Sequence, residues 1–175
     1  MIDPGIKVYE DYEIYQQGME NDYFCKRPDG ERMIGPVWPP KTVFPDYTNP
    51  EVRQWWGDLY EDLLTDKGVS GVWNDMNEPA VFEVKAKTFP DNIRHHFDGH
   101  AASHKKTHNI YGMQMARASY EGIKKHNNGK RPFLLTRANF SGGQRFAALW
   151  TGDNIANWEH LRHAVEQCVR LSISG

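Results

Sequence analysis

Cysteine is scarce: Cys25 and Cys168 are the only two in 175 residues, and no metal-type spacing surrounds either. That excludes a disulfide framework and predicts two unpaired, semi-buried thiols. An excess of either charge is also missing. Lys and Arg number 21 against 23 Asp and Glu, a net charge of -2 with both signs scattered. Such a balance excludes an electrostatic footprint for nucleic acid or an anionic membrane, so the expected partner is neutral. No run approaches the roughly 18 apolar residues of a membrane-spanning helix. Residues 1–16 have neither the basic nor the apolar region of a secretory leader. These absences predict a soluble chain without assigning a compartment. Internal repeats and low-complexity tracts are lacking as well. What remains is one domain's length, with a mean hydropathy of -0.74 beside 6 Trp and 8 Tyr. Surplus rings in a polar chain suit flat faces for sugars, or the packed interior of a barrel.

The pattern along the chain is strand, helix, strand, strand, helix. Thr48 and Glu51 form a capping-box pair, Pro50 falls in the first turn and Gly68 is a stop signal, which predicts a helix over 48–68. Its apolar face would be Val52, Trp55, Trp56, Leu59, Leu63 and Leu64. The β-favouring run 69–73 leads into Asn74-Asp75-Met76-Asn77-Glu78-Pro79 and predicts a buried strand with reactive groups at its C-terminal end. Helical spacing covers 110–126 and stops at Asn127-Asn128-Gly129. Strands at 133–136 and 146–150 then deliver Arg137 and Asp153, and a last helix covers 157–169 with Leu161, Val165 and Val169 on one face. Residues 1–5 fit the end of an earlier strand. About four strands, each releasing polar residues at its C-terminal end, make a parallel α/β pattern. A full eight-stranded barrel needs about 250 residues, so the chain reads as a segment of a larger enzyme. A complete small open sheet is the alternative. Residues 80–109 form one long irregular stretch, expected as a rim or lid over the site.

Asp75 and Asp153 are the carboxylates to choose on pattern alone, because each ends a predicted strand and lies close to a Trp. Glycoside hydrolysis needs such a pair, one to attack the anomeric carbon and one to protonate the departing oxygen. Strand-end aspartates also serve as acceptors for loop N–H groups. His95, His96, His100, His104 and His108, with Asp91 and Asp98, tempt a metal reading, but their spacing lacks strand-end or helix-face logic. A solvated loop is expected instead, with neither metal nor cofactor.

The run from Gly71 through Trp73-Asn74-Asp75-Met76-Asn77-Glu78 to Pro79 resembles the nucleophile signature of family 31 glycoside hydrolases. Arg137 to Ala147, followed by Trp150-Thr151-Gly152-Asp153-Asn154, resembles the second signature. The segments Gly35 to Pro39, Phe44-Pro45-Asp46 and His108 to Gly112 are similar to the family too, so the likeness covers nearly the whole chain. It implies a (β/α)8 TIM barrel of which residues 1–175 supply roughly the middle half, about four β/α units. Asp75 becomes the nucleophile, Asp153 the general acid/base and Arg137 a substrate-binding residue. The reaction implied is retaining cleavage of terminal α-linked glucose from an α-glucoside or oligosaccharide, completed by the remainder of the parent enzyme. A non-catalytic glycan-binding fragment or an activity such as α-xylosidase is the alternative. Chemically, Arg137 is expected close enough to favour ionised Asp75, and Asp153 is expected to start protonated through a drier setting or through the nearby negative charge of ionised Asp75. Glu78 is expected to join the catalytic group by orienting the loop, or else to be only a helix-start residue. Trp38, Met76, Phe140 and Trp150 are the expected wall of the sugar subsite, with Trp73 the weakest member.

Overall fold

The computed structural model describes residues 1–174. In chain order these form β1 (Ile6–Lys7), α1 (Glu13–Glu20), β2 (Ile34–Gly35), β3 (Thr42–Val43), α2 (Pro50–Asp58), α3 (Glu61–Thr65), β4 (Val72–Asn74), β5 (Arg94–His95), β6 (Ala102–Ser103), α4 (His104–His126), β7 (Leu134–Thr136), β8 (Ala148–Leu149) and α5 (Trp158–Ser174).

The expected parallel row is present. β4 pairs with β7 through Val72↔Leu134 and Asn74↔Thr136, and β7 pairs with β8 through Thr136↔Leu149, all parallel. Ile2 bridges Asn74 in the same sense, so the row reads Ile2, β4, β7, β8. One direction for all members puts every C-terminal end on one rim, and residues 3, 75, 137 and 153 all follow such ends.

Behind the row lies α4, the crossover between β4 and β7, which fully buries Tyr111, Met115, Ala118 and Ile123. α4 in turn packs on α2 at unusually close range. A Cβ on Gly122 would collide with the carbonyl oxygen and Cα of Gly57, and a Cβ on Gly57 would stand 3.1 Å from the Ala118 carbonyl oxygen. Glycine at both positions lets the two backbones touch. Tyr60, just beyond α2, links this layer to the sheet: its hydroxyl lies 2.8 Å from Ser119 Oγ on α4 and accepts from Asn74 Nδ2 at 3.5 Å.

Three features differ from the sequence reading. The helix expected over 48–68 is two helices, broken at Leu59 and Tyr60, and its cap is Asn49, whose side chain accepts from Glu51 N–H at 3.0 Å. Thr48 instead donates to Asp46 at 2.7 Å and accepts from Phe97 N–H at 2.8 Å. The helix expected from Ile110 begins at His104, because His104 and Thr107, polar but buried, extend the inward face. The stretch 80–109 is not irregular throughout. It holds the β5–β6 hairpin and a 3-10 turn over Phe97–Gly99, with Val81, Phe89 and Ile93 in the core. The antiparallel sheet β1-β3-β2 was not foreseen; strands of two residues leave no periodicity to read. As for the thiols, Cys25 is buried and Cys168 exposed.

The α2–α4 contact makes a prediction whose sign opposes helix propensity. Gly→Ala inside a helix is intrinsically favourable by about 0.8–1 kcal/mol, but overpacking costs about 1–3 kcal/mol and more against backbone. Gly122→Ala should therefore lower the thermal midpoint of the full-length parent; an unchanged or raised midpoint would show that the helices separate without cost.

Candidate active site

Arg137 is the hub of the rim. It leaves β7 with its backbone N–H bonded to the Asn74 carbonyl at 3.1 Å, which aims its side chain across the turn that follows β4. Its Nε and Nη2 donate to the two carboxylate oxygens of Glu78 at 2.7 and 2.8 Å, a bidentate fork. Nη1 lies 3.0 Å from Asp75 Oδ1 and 3.9 Å from Asp153 Oδ2, and Nη2 also reaches Met76 Sδ at 3.1 Å. One guanidinium thus gathers three carboxylates from the ends of two strands. Glu78, through its hydrogen bonds, is the largest influence raising the Arg137 pKa above its ordinary value. Asp75 is buried, and its Oδ1 also accepts the Met76 N–H at 2.8 Å, with Met76 at φ +57.

Beside this cluster opens a cleft of ≈ 460 Å³ whose walls include Glu78, Arg137, Phe140 and Trp150, closed on the far side by Gln167 and Leu171 of α5. Phe140 and Trp150 thus share one cleft with Glu78 and Arg137, and Trp150 packs edge-on against Trp73 at 4.9 Å. Trp38 stands apart from that cleft, 72% exposed and edge-on to Phe82. The Asp153 side chain is 84% exposed, and its Oδ2 meets the same Arg137 nitrogen as Asp75.

Asp3 was missed. Burial first and the Asp75 charge second raise its carboxyl above the ordinary value, while Arg137 and the Trp38 indole pull the other way. Its Oδ1 is buried without a partner. The signal was available, since residues 1–5 read as a strand end and Asp3 follows Ile2 as Asp75 follows Asn74, but Asp3 lacks the Trp nearby in sequence and the signature run that single out Asp75 and Asp153.

Three of the five histidines of 80–109 are drawn inward, with His95 and His104 buried and His108 half-buried, while His96 and His100 are exposed. Cys25, Asp46 and His95 offer donor atoms within 4.8 Å of one another, the one group close enough to share an ion among the described residues. These donors are committed to each other. Asp46 Oδ1 accepts from Thr48 and lies 2.9 Å from His95 Nδ1, Oδ2 accepts from His96 N–H at 2.6 Å, and burial pushes the Cys25 thiol well up, away from the thiolate a metal would need. From His95 the chain continues, Nε2 to His104 Nδ1 at 3.0 Å and His104 Nε2 to His108 Nδ1 at 2.9 Å. Ionised Asp46 can only accept, so His95 donates to it from Nδ1, and the three rings beyond the carboxylate form a relay linked nitrogen to nitrogen. His96 instead accepts from Gly99 N–H, His100 is exposed, Asp98 pairs with Arg53 at 3.1 Å, and Asp91 accepts Lys105 N–H through its backbone.

The model of the glycosyl hydrolases family 31 TIM-barrel domain matches residues 1–175. Alpha-glucosidase 2 of Bacillus thermoamyloliquefaciens is 51% identical over 175 residues, which are 100% of this chain and 22% of that protein. Human neutral alpha-glucosidase C is 40% identical over 99% of this chain and 19% of its own length. The crystal structure of a glucosidase II alpha subunit superposes with a TM-score of 0.83 at 38% identity, covering 91% of this chain and 17% of that one. The chain thus spans about a fifth of the proteins it matches, and its row of parallel strands is part of a TIM barrel.

The relay generates a pH prediction. Burial, then the neighbouring His95 and His108, lower the His104 pKa from 6.5 to about 3. Between those values the unfolded chain binds a proton that the folded chain refuses, so the contribution is complete above pH 6.5 and declines as pH falls toward 3. Asp46, held below its ordinary value, adds a loss of the same sign at lower pH. Urea midpoints of the parent should drop between about pH 8 and pH 5, and less steeply in His104→Asn. Parallel curves would remove His104 as the source.

Proposed function

From the premise that this chain belongs to the glycosyl hydrolases family 31 TIM-barrel domain family, we propose that its parent protein cleaves terminal α-linked glucose from oligosaccharides or glycans with retention of configuration. Asp75 is the nucleophile, Asp153 the acid/base, and Arg137 the residue that orders Asp75 and Glu78 and meets sugar hydroxyls. The observation that carries this reading is the convergence of three carboxylates on one guanidinium at the C-terminal ends of parallel strands. Asp75 and Asp153 oxygens contact the same nitrogen at 3.0 and 3.9 Å, so they lie within about 7 Å of each other, a bound that admits the about 5–5.5 Å spacing of retention.

In the first step a carboxylate oxygen of Asp75 bonds to the anomeric carbon as the bond to the leaving oxygen breaks, and that oxygen takes the proton of Asp153. Water then attacks the same carbon, gives its proton to Asp153 and releases Asp75. The sugar carries positive charge in both transition states, and the acidic surroundings of Arg137 suit it. Phe140 and Trp150 offer faces for the apolar side of a pyranose. Names of the relatives support glucose as the sugar, since Alpha-glucosidase 2 and neutral alpha-glucosidase C both carry it. The segment alone is expected to be weak or inactive, because Asp153 is open to water and substrate positioning contributes about 7–11 kcal/mol to such reactions.

The test uses the full-length parent. A fluorinated glucosyl donor should label Asp75, and Asp75→Ala should abolish the label and turnover together. Asp153→Ala should cost about 10²–10⁴-fold on substrates with poor leaving groups and far less on activated ones. A label elsewhere, or equal loss on both substrate types in Asp153→Ala, would sink the assignment.

A further inference from the structure

Among the charged residues stands a neutral one whose side chain makes four hydrogen bonds to residues of other elements. Asn77 is fully buried in the turn between Asp75 and Glu78. Its Nδ2 donates to Thr136 Oγ1 at 2.9 Å, to the Gly112 carbonyl at 3.3 Å and, at longer range, to the Ala138 carbonyl at 3.5 Å. Its Oδ1 accepts the Ala138 N–H at 3.0 Å. These partners flank Arg137 on both sides in sequence. A single amide therefore joins the peptide that carries Asp75 and Glu78 to the peptide that carries Arg137, and fastens both to α4.

The site is built for this contact. A Cβ on Gly112 would stand 2.5 Å from the Asn77 carbonyl oxygen and 2.8 Å from Ala138 Cβ, so only glycine lets the helix backbone approach the two turns. Thr136, itself fully buried, donates onward to the Ala138 carbonyl at 3.0 Å, which orients its lone pairs toward Asn77. An amide is the one side chain that both donates and accepts here; aspartate would set a carboxylate against two carbonyls, and leucine of similar size would leave the Ala138 N–H and Gly112 carbonyl without it.

We propose that Asn77 is a positioning residue of the active site, a clamp that sets the separation of Asp75 from Arg137 and so the line of attack of the nucleophile. The proposal rests on the reading of Asp75 as nucleophile. Its consequence is specific: a clamp that aligns attack serves every substrate, whatever its leaving group, and acts on the chemical step rather than on binding.

The experiment uses the full-length parent with Asn77→Ala and Thr136→Val, assayed on aryl α-glucosides with good and poor leaving groups. Thermal midpoints and far-ultraviolet circular dichroism establish the folded fraction. Per folded molecule, kcat of Asn77→Ala should fall about 10²-fold, the cost of a misplacement near 1 Å, equally on both substrate types, with KM changed less than threefold. Thr136→Val, which keeps the branched shape, should lose about tenfold, the scale of one hydrogen bond, and carries the test should Asn77→Ala not fold. Full kcat in the folded fraction, beside a lowered thermal midpoint, would make Asn77 structural only and overturn the proposal. A crystal structure of Asn77→Ala separates this idea from the function on which it rests. Arg137 Nη1 and Asp75 Oδ1, 3.0 Å apart now, should part beyond about 4 Å, the limit of an ion pair. Retention of the present distance would overturn the clamp even in an active enzyme. An inactive wild-type parent would defeat the glucosidase reading while leaving that distance to decide the clamp.

Discussion

The ion cluster around Arg137 is the constraint that the rest of the structure serves. Three carboxylates within reach of one another repel, and burying Asp75 costs solvation that only a well-placed partner returns. The guanidinium answers with geometry as well as charge: its fork binds Glu78 through two nitrogens and leaves Nη1 for Asp75 and Asp153. A lysine would present one point of charge and could not divide itself in this way. Because the carboxylates outnumber their cation, the cluster retains negative character even when Asp153 is protonated. That surplus is unfavourable at rest and favourable when positive charge develops on a sugar ring, which is the sense in which such a site stabilises a transition state more than a ground state.

Holding that cluster in place falls to neutral contacts. Parallel pairing of β4 with β7 sets the strand ends level, and α4 backs both. The helix reaches the sheet at two points: through Ser119 and Tyr60 to Asn74, and through Gly112 to Asn77. Its first turn is tied by His104 to His95 and Asp46, and Tyr111 donates to the Pro45 carbonyl at 2.9 Å. The segment 80–109 and the turn at 45–48 are thereby fastened to the helix that supports β4 and β7, so the rim is continuous with the core.

How much of this was legible in the sequence depended on run length and on polar residues out of place. Val72 to Asp75, Phe133 to Arg137 and the approach to Asp153 could be read because an apolar run ending in a charged residue is hard to explain except at a strand end. Glu78 and Met76 came with the signature, and the structure joins both to Arg137. The antiparallel sheet could not be read, since Ile6, Thr42 and Ile34 head two-residue strands. The first turn of α4 was hidden because buried His104 and Thr107 imitate a polar loop; their partners lie far away in sequence or in the helix itself. Asp3 was passed over although residues 1–5 read as a strand end, because neither a neighbouring Trp nor a signature run singles it out. Trp38 was assigned to the subsite wall on aromatic character, which carries no direction; its ring packs edge-on to Phe82 and its indole lies near Asp3.

The open side of the sheet connects stability with chemistry. A closed barrel has no edge strands, whereas the four-membered row here ends at β8. Beyond β8, Trp158, Leu161, Val165 and Val169 of α5 are exposed, a row of apolar residues at helical spacing that no described element covers. Such a stripe gains only when water leaves it, at about 25 cal/mol per Å², so α5 is held less firmly than α4, whose inward face is completely buried. Asp153 lies in the connection between β8 and this helix. Its side chain is 84% exposed, so the open carboxyl and the bare stripe lie on neighbouring stretches of chain. On the proposed reading of Asp153 as the acid, a surface that covers the stripe would also draw water away from the carboxyl, so that ordering the helix and drying the proton donor would be one physical event.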